Sequence, residues 1–162
     1  MVETRRLTQL VDEIVDRVHL PKGDPVLALS GGADSAALGY LLGEVGRQPR
    51  AIHVNHGFPA SDRMESAARK VANQLSIGIS VVVVEVAGGA SPEGHARTAR
   101  YQAFSASLDK SDLLLTAHTM NDNAETVLMN LVRGSSTRGV AGIPRHRSPN
   151  IWRPLLDVTR SE

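Results

Sequence analysis

Apolar positions along this chain fall into two alternating spacings. Leu7, Leu10, Val11, Ile14 and Val18 recur every three or four residues, which predicts an amphipathic helix over about 3–19. Pro21-Lys22-Gly23-Asp24-Pro25 breaks it, because two prolines and a glycine cannot continue a helix. Val26 to Leu29 is then a short apolar run, read as a strand, and a helix is expected over about 35–45. Ala51-Ile52-His53-Val54 predicts a second strand. Ser61 or Asp62 is expected to cap the helix after it, with Met64, Ala67, Ala68, Val71 and Leu75 turned inward. Ile79 and Val81 to Val84 form a continuous apolar run, as in a strand covered on both faces. After the Gly88-Gly89-Ala90 loop, Ser91 is the expected cap and Pro92 the first turn of another helix. Leu113-Leu114-Leu115 is a fourth strand, a helix follows over about 121–132, and Ile151-Trp152 reads as a fifth, short strand.

Strands alternating with helices in this way predict an α/β fold, a doubly wound, mainly parallel five-stranded sheet with flanking helices. Ligands of such sheets bind beyond the carboxyl ends of the strands. The polar clusters of the chain lie at those places: Ser30 to Ser35, Asn55 to Gly57, and Ala117 to Asp122 each follow a predicted strand.

Composition narrows the class. At 162 residues, 41% hydrophobic and 22% charged, the chain has the size and content of one globular domain with its own core. It has no cysteine, which excludes disulfides, thiolate metal sites and thiol nucleophiles. No signal peptide or membrane span is legible near the N-terminus, so a cytoplasmic protein without membrane contact is expected. Net charge is only +1, but Arg133, Arg138, Arg145, His146, Arg147, Arg153 and Arg160 crowd the last thirty residues. Such a cluster suits phosphates of a nucleotide or nucleic acid, and equally a solvated basic tail.

The chemistry is concentrated in Leu29-Ser30-Gly31-Gly32-Ala33-Asp34-Ser35, a strand end, a glycine turn and a helix start. A helix N-terminus carries unpaired N–H groups and the positive dipole end, and glycine lets the backbone approach a phosphate closely. The spacing is neither the Walker pattern nor Gly-x-Gly-x-x-Gly. Read blandly, it is a Gly-rich turn with Asp34 and Ser35 in the first helical turn. His53-Val54-Asn55-His56-Gly57 puts His53 and Asn55 on one strand face, either at the rim of a nucleotide pocket or as a buried histidine before a plain turn. Asp122 and Glu125, three apart, share a face at a helix N-terminal end. They could hold Mg²⁺ against phosphates, take a proton from an amine, or merely complement the helix dipole, with Asn121 as cap. His118 before them is a candidate base, phosphate donor or turn residue. Glu93, Arg97 and Arg100 lie at helical spacings, by default a solvated ion-paired face. Arg133 to Gly139 combines Gly, Ser and Arg as an anion-wrapping or simply mobile loop.

Ser30-Gly31-Gly32-Ala33-Asp34-Ser35 resembles the pyrophosphate loop of the N-type ATP pyrophosphatases, the PP-loop enzymes, which split ATP between its α and β phosphates. With His53 to Gly57, Glu93 with Ala96-Arg97 and Arg100-Tyr101, Asp122 with Ala124-Glu125-Thr126, Arg133-Gly134-Ser135 and Arg153-Pro154-Leu155-Leu156, the set is similar to the tRNA(Ile)-lysidine synthase family from Val26 to Arg160. The resemblance implies a Rossmann-like sheet of the adenine nucleotide alpha hydrolase type. It also implies ATP and Mg²⁺ as cofactors, with L-lysine and a CAU-anticodon tRNA(Ile) as partners, and often a homodimer. In that reaction the wobble cytidine is adenylylated at its C2 oxygen, and the lysine ε-amine then displaces AMP. Carried over residue by residue, Ser30, Gly31, Gly32, Ala33, Asp34 and Ser35 would hold pyrophosphate. His53 and Asn55 would sit by the adenosine, and Asp34 and Asp122 by the metal. His118, Asp122, Glu125, Arg97 and Arg100 would form the catalytic and lysine-handling set.

The pattern also departs from the family's. Thr119 stands where a second histidine is usual, Asn121 where Asp is frequent, Asn123 where Gln is common and Ser136 where Gly is. Family members continue past the equivalent of Arg160, so residues 1–162 are expected to be one PP-loop domain truncated at its C-terminal side. The absence of cysteine argues against the tRNA-thiolating branch. Amidating synthetases are not expected to carry His53 to Gly57 and Arg153 to Leu156 in this arrangement. The competing reading is a nucleotide-binding module without tRNA chemistry.

Overall fold

The computed structural model describes residues 11–15, 20–84, 92–134, 140–148 and 150–162. Residues 11–15 are helical (α1), and Ile14 is buried in the core; the rest of the helix expected over 3–19, and the Ser91 cap, lie outside the described residues. The order continues as β1 (Asp24–Ala28), α2 (Ala33–Glu44), β2 (Arg50–Asn55), α3 (Ser61–Gln74), β3 (Ile79–Val83), α4 (Pro92–Ser107), β4 (Asp112–Leu115), α5 (Met120–Val132), β5 (His146–Arg147) and β6 (Ile151–Trp152). A turn of 3₁₀ helix, Pro154–Asp157, follows. No helix among the described residues is long and apolar enough to cross a membrane.

The strands form one sheet in the order β3-β2-β1-β4-β6-β5, parallel throughout except for the β5–β6 pair. Alternation along β1 explains the layers. Val26 packs on one face with Ile52, Phe104, Leu114 and Ile151; Leu27 packs on the other with Leu38, Leu42, Leu115 and Leu155. Both faces of the central strands β1 and β4 are covered, so they carry unbroken apolar runs. β3, expected to be covered on both faces, instead ends the pairing order beyond β2 and leaves Val83 exposed. The chain winds outward from β1 through β2 and β3, then returns to β4 on the other side. That reversal puts the ends of β1, β2 and β4 around one crevice.

Three further expectations are corrected. The sheet has a sixth strand, β5, whose His146 and Arg147 pair antiparallel with Trp152 and Ile151. Two exposed polar residues leave no hydrophobic pattern to read, and the strand exists only through that pairing. Ala60 rather than Ser61 or Asp62 is the N-cap of α3, without a side-chain cap bond; the Ser61 hydroxyl instead accepts from the Phe58 N–H at 3.1 Å. Met64 is half exposed, whereas Ala68 and Ala72 carry the buried contact of α3. Small residues let that helix approach the sheet, and the larger methionine is left at the crevice.

Gly31 sits at the closest approach of the β1–α2 turn to α3. Its φ is +86°, and an added Cβ would lie 2.6 Å from the Met64 carbonyl oxygen and 3.0 Å from the Ala68 nitrogen. Gly32 has an ordinary extended backbone (φ −85°) and room for a Cβ, the nearest atom being the Ser30 hydroxyl at 3.4 Å. Gly31→Ala should therefore lower stability by roughly 1–3 kcal/mol in urea denaturation, the range for backbone strain compounded by a clash. Gly32→Ala should stay within about 1 kcal/mol of wild type.

Candidate functional site

The crevice holds a cavity of about 360 Å³. Its wall takes Ser30, Asp34 and Ser35 from the β1–α2 turn, His53 and His56 from the end of β2, Arg97, Arg100 and Tyr101 from α4, and Thr116, His118 and Asp122 from the β4–α5 turn. Three separate strand ends thus converge, as the order of the sheet requires. Asn55, Glu125, Gly31, Gly32 and Ala33 are not among the lining residues.

The turn after β1 is held by its own hydroxyls. Ser35 Oγ donates to the Gly32 carbonyl at 2.9 Å and accepts from the Ser30 N–H at 3.3 Å, while Ser30 Oγ accepts from the Gly32 N–H at 3.2 Å. The two hydroxyls lie 3.0 Å apart. The N-cap of α2, Gly32, has no side-chain cap, so the helix end is left to any anion brought there.

His53 and Asn55 point to the same side of β2 but have different surroundings. His53 is 3% exposed, and its Nδ1 lies 2.8 Å from the Leu29 carbonyl. A carbonyl can only accept, so Nδ1 carries a proton; the buried Nε2, an acceptor in the neutral ring, has no partner among the described residues. Asn55 is engaged on both ends: its amide donates to Glu65 at 2.9 Å and its oxygen accepts from the Gly57 N–H at 2.9 Å. It ties the end of β2 to α3. His56, expected at the turn after β2, lines the cavity and meets the Arg100 guanidinium at 3.3 Å.

At the β4–α5 turn the N-cap is Thr119, not Asn121. Its hydroxyl and the Asp122 carboxylate form a reciprocal capping box, in which Asp122 Oδ2 accepts from the Thr119 N–H at 2.7 Å. Asn121 accepts from the Arg160 N–H at 2.8 Å, and Asn123 accepts from the Ile143 N–H at 2.7 Å. Every described departure from the family pattern in this turn therefore has a structural bond. Ser136 lies outside the described residues.

Two cations absent from the sequence-derived set define the electrostatics. Arg160 reaches across the mouth to Asp34 (3.4 Å), Asp122 (2.7 Å) and Glu125 (3.7 Å), so one guanidinium gathers three carboxylates from two elements. Arg153 is 1% exposed; it donates to the Pro144 carbonyl and, at 3.3 Å, to the Tyr101 hydroxyl. Neither could be placed from sequence, since each acts on residues dozens of positions away. The signals were the crowding of arginines near the C-terminus and, for Arg153, the Arg153-Pro154-Leu155-Leu156 motif.

His118 accepts the consequences. Burial first, then the positive charge of Arg153, push its pKa down from 6.5 to about 4, so it is neutral at pH 7. Its Nδ1 lies 2.9 Å from the Thr116 hydroxyl. It can serve there as a hydrogen-bonding or proton-accepting imidazole, not as a cation.

Comparison with known proteins gives a consistent result. The pattern of the PP-loop domain family matches residues 2–162. The chain is 42% identical over 145 residues to the tRNA(Ile)-lysidine synthase of Pseudomonas fluorescens, covering 84% of this chain and 33% of that protein. The enzyme of the same name from Pseudomonas aeruginosa is 41% identical over the same shares, and that of Coxiella burnetii 38% identical over 84% and 32%. The chain thus spans about a third of the length of these relatives. Among solved structures, NMN synthetase of Francisella tularensis aligns with a TM-score of 0.54 at 14% identity, over 95% of this chain and 66% of that one. The ammonia-dependent NAD synthetase of Campylobacter jejuni gives 0.54 at 18%, over 96% and 67%; at such identities the likeness shows the fold alone.

The low His118 pKa has a measurable consequence. The unfolded chain binds a proton near pH 6.5 that the folded chain refuses until about pH 4, so this group's share of stability is lost as pH falls through that window. Wild type should lose roughly 2 kcal/mol relative to His118→Gln between pH 7 and pH 5, read from paired urea denaturations. Parallel curves for the two proteins would contradict the assigned environment.

Proposed function

The chain belongs to the PP-loop domain family, and on that premise we propose that it works in the ATP-dependent joining of L-lysine to the wobble cytidine of a CAU-anticodon tRNA(Ile). The observation that carries this reading is the convergence of Ser30, Asp34 and Ser35 with His118 and Asp122 on one cavity. The high identity to tRNA(Ile)-lysidine synthases over most of the chain supports it. We read the protein as one PP-loop domain acting in the cytoplasm.

In this reading the Ser30–Ser35 turn and the uncapped N-terminus of α2 hold the pyrophosphate of ATP as it departs, by N–H and hydroxyl donation. The buried Nε2 of His53 is an acceptor for the exocyclic amino N–H of the adenine. Asn55 acts one step back, fixing the strand end from which His53 projects. His118, neutral, hydrogen-bonds the reacting oxygen. Glu125 stands at the open mouth, at 62% side-chain exposure, where a lysine ammonium can pair with it and lose its proton. Arg97 and Arg100 face the same space from α4 and offset developing negative charge.

The donor set also fits Mg²⁺. No group of three His, Cys, Asp or Glu among the described residues forms a ready metal site. Mg²⁺, however, is usually held by one or two carboxylates with phosphate oxygens and water completing the shell. Asp34 and Asp122 already share a single cation, the Arg160 guanidinium, and Asp122 Oδ1 is the oxygen free of the helix cap. These two residues would hold the ion, which when bound neutralises phosphate charge.

Transfer of labelled lysine to a CAU-anticodon tRNA transcript, with Mg·ATP and a wobble-substituted control, tests the whole reading. Label confined to the first RNA is expected. Asp34→Ala should weaken Mg·ATP binding by at least tenfold in calorimetry, whereas Glu125→Ala should leave that affinity near wild type and abolish product. Nucleotide binding with no label on either RNA would instead mark the chain as a nucleotide-binding module.

A further inference from the structure

Some arginines among the described residues are paired with acids and others are not. Arg50, Arg69, Arg145 and Arg160 each meet a carboxylate. Among the described residues no acid pairs with Arg97, Arg100, Arg147 or Arg153, and three of these, Arg97, Arg147 and Arg153, surround one tyrosine. The guanidinium of Arg147 lies 4.2 Å from the Tyr101 ring centroid and that of Arg97 5.4 Å. Arg153 donates to the Tyr101 hydroxyl, and its own buried Nε has no partner among the described residues. Arg100 is the next residue along α4. Three like charges about one ring, one of them almost wholly out of water, are costly unless an anion comes to them.

The shape shows where that anion lies. On the outer side of α4 is an open groove of about 580 Å³, lined by Arg97, Thr98, Tyr101, Gln102, Ser105 and Arg147. Arg97 and Tyr101 line both this groove and the cavity, so the two spaces adjoin. Thr98, Gln102 and Ser105 repeat along one helix face. The Thr98 hydroxyl donates to the Gly94 carbonyl, which leaves Gln102 and Ser105 as neutral donors beside the arginines, a mixture suited to phosphodiester oxygens. Because the Tyr101 hydroxyl accepts from Arg153, its own proton is free to donate outward.

We propose that this groove receives the backbone phosphates of the RNA strand whose reacting base enters the cavity, with Arg147 and Arg97 as the phosphate contacts and Tyr101, held by buried Arg153, between them. The inference rests on the reading that an RNA base is the acceptor. It adds where the flanking chain of that RNA runs: out past Tyr101 and along α4. Arg147 lines the groove and not the cavity, which makes it the residue that separates RNA binding from nucleotide binding.

The experiment is fluorescence anisotropy of a labelled CAU anticodon stem-loop RNA at several KCl concentrations, with nucleotide affinity measured separately by calorimetry. Arg147→Gln should weaken RNA binding three- to tenfold at moderate salt and make the log–log salt dependence shallower by about one ion released. ATP affinity should stay at the wild-type value. Arg147→Lys, which keeps the charge, should restore most of the salt slope. Unchanged RNA affinity and slope in Arg147→Gln overturns the proposal, as does RNA binding by wild type that is absent or insensitive to salt. An effect confined to the L-lysine KM also overturns it, because the anion would then be the amino-acid carboxylate. If RNA binding responds as expected while ATP does not bind, the groove assignment holds and the nucleotide reading fails.

Discussion

Strand β1 is hydrogen-bonded along both edges, to β2 on one side and β4 on the other, and both neighbours run parallel to it. That pairing leaves it no freedom of register: Leu27 faces Ala51 and Leu115 at once, with Val26 and Leu27 wholly buried on opposite faces. A slip by one residue would turn each core side chain to the wrong layer. Since parallel strands share a direction, fixing the register also fixes three chain exits at one edge of the sheet. The seryl turn, the histidines after β2 and the capped start of α5 meet because of that constraint, although some ninety residues separate the first from the last.

The same constraint decides what could be read from the chain. β1 to β4 and β6 are apolar runs bounded by turn residues, and α2 to α5 follow helical spacing or turn chemistry, so local pattern sufficed for most of the architecture. The Ser30–Ser35 turn was legible because its glycines and hydroxyls are contiguous in sequence between an apolar strand and a helix start. β5 was not, because a two-residue strand of His and Arg is made by its partner and not by its own pattern. The cap of α5 was misplaced onto Asn121 because both Thr119 and Asn121 are good capping residues, and only the path of the chain decides between them. Asn55 was grouped with His53 by alternation, correctly as to face. Period-two spacing says nothing of Glu65, which engages its amide from α3.

Charge is distributed unevenly across the cavity, and that too is a long-range result. The phosphate-loop side and the start of α5 carry the carboxylates Asp34, Asp122 and Glu125, neutralised by Arg160 from the end of the chain. On the α4 side, Arg97 and Arg100 line the cavity with no acid paired to them among the described residues. His118 lies between them, and the balance of influences on it is informative: Asp122 raises its pKa, but burial and Arg153 outweigh that carboxylate. The imidazole is thereby kept uncharged, so it adds no third positive group to a wall already rich in guanidinium.

Asp122 shows how stability and chemistry share one side chain. Its Oδ2 accepts from the Thr119 N–H and closes the capping box, a bond worth on the order of 1 kcal/mol to the helix, while Oδ1 meets Arg160. The two oxygens have separate duties, one to the fold and one to the site. Thr119 is what permits this: its hydroxyl caps the Asp122 N–H in return, which an imidazole at the same position would not do in the same geometry. With the carboxylate clamped through Oδ2, the direction of Oδ1 toward Asp34 and Arg160 is set by the helix start itself. A chemistry that needs a cation to move in and out there can do so at Oδ1 without unwinding α5.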